Sequence, residues 1–231
     1  MIDLHYWPTA NGWKISIMLE ECGLSYRTLP VNIARGEQFA PTFVDISPNS
    51  RIPAIVDHTP TGGGEPIAVF ESGAILIYLA EKTGHLLAPA LRERKAVIEW
   101  TMWQIGGLGP MVGQYGHFIL HAPETLPYAI TRYRREAHRL FRVLETQLDK
   151  TESYLAGEYS IADIACFPWM YWATTHSAYQ LALGDYPKIE RWIEAVGTRP
   201  AVRRGLAVSA NLELTDLDIE ARSHLFGGHE N

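Results

Sequence analysis

Apolar and β-forming residues alternate with polar ones over residues 2–7, and the turn-forming run Pro8, Thr9, Ala10, Asn11, Gly12 follows. The chain therefore opens on a predicted strand and turn. Ile15, Met18, Leu19 and Cys22 then recur at the spacing of one helical face, which predicts a helix over 13–22 with Gly23 as its left-handed stop. Further strands are predicted over 26–31, 52–57 and 66–70, with a polar loop around 34–38 and a short helical segment over 41–46. An amphipathic helix over 71–83 ends at Gly84. From Pro89 onward only helical spacing persists, over 91–118, 126–151, 161–177, 188–196 and 201–207. Gly106, Gly107, Gly109 and Pro110 interrupt the first of these and predict a bend.

The resulting order is β-α-β-α-β-β-α, then helices alone. A strand, crossover helix and strand imply a parallel pair, whereas the short Gly62-Gly63-Gly64 link between the last two strands implies a hairpin. A mixed four-stranded sheet of this kind is what a thioredoxin-like domain needs. The expected architecture is thus α/β plus all-α: a thioredoxin-like domain over 1–84, a linker over 85–90, an all-helical domain over 91–212 and a polar tail over 213–231.

Composition narrows the function. The 231 residues are 47% hydrophobic and 20% charged, as in globular proteins. No apolar run approaches the roughly 20 residues of a membrane-spanning helix, and the N-terminus has no signal-like character, so no membrane association and no export are expected. A net charge of −6 with scattered basic residues makes a poor nucleic-acid binder, which leaves a small molecule as the expected partner. The two cysteines, Cys22 and Cys166, are far apart and lie in apolar helical patterns, which fits a reducing compartment rather than a disulfide framework. The nine histidines show no metal-ligand spacing, and no metal is expected.

Three segments carry candidate chemistry, each with a structural alternative. Pro8 to Gly12 leads into the first helix, where unpaired backbone N–H groups can stabilise a thiolate or another anion, with Thr9 and Asn11 aiming hydrogen bonds at it. Thr9 and Asn11 are also ordinary helix caps. Ile52-Pro53 is either a trans edge-strand proline or a cis bond that turns the Ile52 N–H and C=O toward a peptide-like ligand. At Glu71-Ser72, Ser72 suits a carboxylate and Glu71 an ammonium, the two ends of an amino acid, but a plain cap is equally compatible. Ser160 to Asp163 has the spacing of a capping box and is assigned a structural role.

Taken in order on one fold, these segments resemble the glutathione transferase family over roughly residues 1–208, and Ser160 to Asp163 matches its helical-domain signature. The details are most similar to the nu class: Pro8-Thr9-Ala10-Asn11-Gly12, Ser47-Pro48-Asn49 ahead of Ile52-Pro53-Ala54, Gly63-Gly64-Glu65-Pro66, Phe70-Glu71-Ser72-Gly73-Ala74 and Gly106-Gly107-Leu108-Gly109-Pro110-Met111. The resemblance implies a cytoplasmic homodimer that reduces disulfide bonds at the expense of glutathione, with weak transferase or peroxidase activity on small electrophiles. It also implies a site. Thr9 and Asn11 would flank the glutathione sulfur, and Gln38 would contact the peptide. Ile52, ahead of Pro53, would pair through its main chain with the cysteinyl residue. Glu71 and Ser72 would hold the γ-glutamyl end, Arg132 would reach a carboxylate from the partner subunit, and Arg51 offers a further cation. A conjugating transferase and a noncatalytic glutathione-binding regulator are the alternatives that the same resemblance implies.

Overall fold

The computed structural model describes residues 1–179, 183–209, 211–212 and 218–227. The chain divides into two compact units, Met1–Thr83 with the described residues from Ala201 on, and Gly84–Pro200.

The first unit contains β1 (Ile2–Tyr6), α1 (Ala10–Glu21), β2 (Tyr26–Pro30), the short α2 (Pro41–Val44), β3 (Ala54–Asp57), β4 (Ile67–Phe70) and α3 (Ser72–Thr83). Its strands lie in the order β2-β1-β3-β4, with β1 and β2 parallel and β3 antiparallel to both β1 and β4. The mixed sheet and thioredoxin-like order follow the sequence pattern. Leu4, Ile15, Met18, Leu19, Ile55, Ile75, Leu76 and Leu79 are fully buried and form the core. The helix expected from residue 13 begins at Ala10 instead. Thr9, in extended backbone, caps it by accepting from Gly12 N–H at 3.2 Å, so Asn11 lies in the first turn. Gly12 is required there by close approach, since a Cβ would lie 2.2 Å from the Trp7 carbonyl oxygen.

The register brings four separate segments to one end of this sheet. Tyr6 at the end of β1 pairs with Pro30 at the end of β2, and Val31 N–H donates to the Tyr6 carbonyl at 3.0 Å. His5 pairs with Ala54 at the start of β3, and Ala54 pairs with Phe70 at the end of β4. The start of α1, the chain following β2, the Ile52-Pro53 approach to β3 and the β4–α3 junction therefore share one edge.

The second unit contains α4 (Leu91–Trp103), α5 (Gly109–Gly116), α6 (Pro127–Thr151), α7 (Ile161–Thr175) and α8 (Pro187–Gly197). At the glycine-rich run the helix passes through a π-helical turn, Gln104–Leu108, directly into α5. The glycines there permit close packing, since a Cβ on Gly109 would lie 2.4 Å from Gln104 Nε2. The core comes from Leu140, Phe141, Leu144 and Leu148 of α6, Ile164 and Phe167 of α7, and Trp192 and Val196 of α8. Ser160 and Asp163 form the expected capping box at the start of α7.

The sequence pattern extends the helical domain to residue 212, but α9 (Pro200–Ala207) makes its close contacts with α1 of the first unit. Ser16 Oγ donates to the Gly205 carbonyl at 2.8 Å, Arg204 pairs with Glu20 at 2.6 Å, and a Cβ on Gly205 would lie 2.6 Å from the Ile17 Cα. Helical period alone does not tell which unit a helix covers. Of the expected tail, residues 213–217 and 228–231 lie outside the described residues. Asp218 caps a further helix, α10 (Ile219–Phe226), which packs on the 3-10 turn Ile33–Arg35.

Candidate active site

At the start of α1, Thr9 N–H donates to the Trp7 carbonyl at 2.8 Å, its hydroxyl oxygen takes Gly12 N–H, and its carbonyl takes Trp13 N–H at 2.9 Å. Both structural and chemical roles are compatible with this geometry, because the hydroxyl proton stays available while the oxygen accepts. Asn11 is half-buried beside it. Tyr6, at the same edge, is fully buried, its hydroxyl donates to the Val208 carbonyl at 3.4 Å, and burial raises its phenol well above the ordinary tyrosine range.

The Ile52-Pro53 peptide bond is cis, which settles the alternative left open by the sequence. Ile52 packs partly buried against Val31, Phe43 and Ala54, and among the described residues neither its N–H nor its C=O has a hydrogen-bond partner. Ser47 Oγ donates to the Arg51 carbonyl at 2.9 Å and shapes the approach, while the Arg51 side chain is exposed.

The β4–α3 junction is built for acceptors. Glu71 adopts a left-handed backbone with φ 68°, and its carboxylate accepts from Asn49 Nδ2 at 3.4 Å. Ile75 N–H reaches back to the Glu71 carbonyl at 2.9 Å, but the N–H groups of Ser72, Gly73 and Ala74 have no acceptor among the described residues. Ser72 and Gly73 are nevertheless buried. The first amides of a helix have no intrahelical acceptor, so these donors are available to an external acceptor.

Gln38 follows β2 on a 3-10 turn and is 1% exposed. Its Nε2 donates to the His224 carbonyl on α10 at 3.4 Å, and its Oε1 has no partner among the described residues. The expected peptide contact is thus covered by α10, which sequence patterning does not foreshadow. Arg132 belongs to the second unit, exposed on α6 along a groove of about 610 Å³ that Met111, Tyr128, Arg135 and Arg139 also line. Two residues gain a place that the sequence analysis does not give them: Asn49, quoted there only within a motif, tethers Glu71, and Lys14 lies buried in α1 with its Nζ 3.2 Å from Ser72 Oγ. Lys14 interrupts the apolar face of α1, and that break in the pattern is the signal that could have marked it.

The cysteines offer no nucleophile at this edge. Cys22 sits at the opposite, C-terminal end of α1, where burial raises its thiol and Thr83 Oγ1 lies 3.5 Å away. Cys166 is fully buried in α7. Among the described residues no group of three or more His, Cys, Asp or Glu side chains is arranged to hold a metal, and no helix is long and apolar enough to cross a membrane.

Comparison with known proteins agrees with this architecture. Residues 2–81 match the Glutathione S-transferase N-terminal domain, and residues 127–195 match the Glutathione S-transferase C-terminal domain. The chain is 53% identical to Disulfide-bond oxidoreductase YfcG of Escherichia coli (strain K12) over 207 residues, covering 89% of this chain and 94% of that protein. A glutathione transferase from Burkholderia graminis, with two glutathione molecules bound per subunit, aligns with a TM-score of 0.85 and 43% identity, covering 90% of this chain and 88% of that one. A glutathione transferase from Pseudomonas putida, with one glutathione disulfide bound per subunit, aligns with a TM-score of 0.84 and 41% identity, covering 90% and 91%. With both halves of the chain matched and its site segments gathered on one sheet edge, the protein belongs to the glutathione S-transferase family.

Proposed function

We propose that this protein is a glutathione-dependent disulfide-bond oxidoreductase in which bound glutathione, rather than a protein cysteine, supplies the reacting thiols. The observation that carries this is the single sheet edge where the start of α1, the unpaired Ile52 main chain and the open start of α3 lie together. Those groups match a γ-glutamyl peptide thiol. The α3 amides and Ser72 take its carboxylate and Glu71 its ammonium, Ile52 pairs with the cysteinyl backbone, and the sulfur lies at α1 beside Thr9 and Asn11. Pro53, Arg51 and Arg132 complete the proposed binding set, Arg132 from the partner subunit of a homodimer, and Gln38 joins it when α10 moves off its side chain. A cytoplasmic setting suits two free cysteines.

The likeness to relatives holding two glutathione molecules or one glutathione disulfide per subunit supports the same chemistry. In the reaction, one glutathione thiolate attacks the substrate disulfide and expels one thiolate, and a second glutathione attacks the mixed disulfide. The sum is oxidised glutathione and two thiols, with the two protons coming from the glutathione thiols. Thr9 and Asn11 hold the sulfur in line. The partial positive charge at the start of α1 favours the thiolate form and stabilises the charge that passes between sulfurs. Since neither Cys22 nor Cys166 lies at this edge, the chain contributes position and electrostatics only.

The test is to compare glutathione-dependent reduction of hydroxyethyl disulfide with conjugation of chlorodinitrobenzene. Reduction is expected to dominate and to persist in the Cys22→Ser, Cys166→Ala double variant. Conjugation exceeding reduction by orders of magnitude would identify a conjugating transferase. No calorimetric binding of reduced or oxidised glutathione would identify a noncatalytic relative.

A further inference from the structure

Lys14 brings a charged side chain to this edge from within a mostly apolar, buried helix. It lies one helical turn beyond Asn11 on α1, is 1% exposed, and donates from Nζ to Ser72 Oγ at 3.2 Å. Lysine is among the residues least often fully buried, because its charge loses water on burial. An apolar residue would fill the α1–α3 contact without that cost, so the bond from Lys14 to Ser72 is a specific feature of this corner.

The consequence of that bond follows from the hydrogen-bond inventory of Ser72. A serine hydroxyl carries one proton and two lone pairs. Lys14 donates into one lone pair, which leaves the hydroxyl proton for a separate acceptor, and among the described residues Lys14 is the only partner of Ser72 Oγ. The N–H groups of Ser72, Gly73 and Ala74 at the same helix start also lack acceptors among the described residues. Apart from the Glu71 carboxylate, which Asn49 engages, the polar groups named at this corner are donors, with the Lys14 ammonium behind them.

We infer that Lys14 is a positioning residue: it fixes Ser72 as a donor and backs the start of α3 with positive charge, so that this corner selects a γ-glutamyl α-carboxylate. The inference deepens the proposed glutathione site and rests on Ser72 meeting that carboxylate. Lys14 touches no reacting atom, and its effect falls on ligand affinity and selectivity rather than on sulfur chemistry.

The test compares calorimetric Kd values for glutathione and for 4-aminobutyryl-cysteinylglycine, which lacks only that carboxylate. The wild-type protein is expected to prefer glutathione by about tenfold or more, the worth of a charge-assisted hydrogen bond. Lys14→Met is expected to bind the two ligands within about threefold of each other, and Lys14→Arg to recover most of the preference. Should Lys14→Met fail to fold, judged by circular dichroism, Lys14→Gln takes its place in the same comparison. A Lys14 variant that keeps the full preference, or that loses affinity equally for both ligands, overturns the inference. A wild-type protein that binds both ligands alike instead overturns the placement of Ser72 on the carboxylate, and the inference with it.

Discussion

Two helix starts in this molecule use the same residue types to opposite ends. At α7, Ser160 Oγ accepts from Ala162 N–H at 3.3 Å, and Asp163 accepts from Ser160 N–H at 3.1 Å, Leu155 N–H at 3.0 Å and Trp192 Nε1–H at 2.9 Å. Its donors are answered from within, as a capping box requires. At α3, Glu71 and Ser72 stand in a comparable place, yet Ser72 turns to Lys14 and the first three amides stay open. A serine and an acid at a helix start thus say nothing by themselves. The acid must lie three residues after the serine to reach back, and at α3 Glu71 precedes Ser72 instead, held away by its left-handed backbone and by Asn49. One start is closed and stabilises the fold. The other is open, and we assign it to a ligand.

That contrast can be broken experimentally. The largest effect is expected from Asp163→Ala, which strands buried donors of Leu155, Ser160 and Trp192 and should lower unfolding free energy by about 3–5 kcal/mol in denaturant titration. Asp163 also sets a pH slope. Burial pushes its carboxyl up to about 6, against the bonds from Leu155, Trp192 and Ser160 that favour the ionised form. With the folded value above the unfolded one, the native state binds more protons across that interval. The contribution is complete below about 3.8 and is lost as pH rises through about 6. Thermal melts between pH 4 and 7 should show this slope flattened in Asp163→Asn.

Next in size, Ser72→Ala should raise the Kd for glutathione about tenfold or more while lowering stability by about 1.5–3 kcal/mol, the worth of a hydrogen bond from a charged group. A stability loss as large as that of Asp163→Ala, with affinity intact, would make α3 a closed start like α7. The smallest effect belongs to Ser160→Ala, about 1 kcal/mol of stability with glutathione affinity unchanged by calorimetry.

Much of this was legible from neighbouring residues. Strand alternation, the apolar face of α1 and the Ser160–Asp163 spacing are local signals, and the four-stranded sheet and α7 appear where they point. Thr9 marks a cap in the sequence and is one in the structure, although the helix begins three residues earlier than its apolar spacing suggests, because small and polar residues can occupy a first turn without packing. Ile52-Pro53 was legible as a junction, but not as cis.

The sequence by itself determined the elements, their order and the residue types available at each junction, since hydrogen-bond periodicity and caps act within a few residues. Tertiary structure decided what those residues face. It buried Lys14 under Ser72, 58 positions away, laid α10 over Gln38, 186 positions away, and joined α9 to α1 through Gly205 and Ser16. Such pairings depend on which backbones approach closely in space, and a one-dimensional pattern of polar and apolar positions carries no record of that distance.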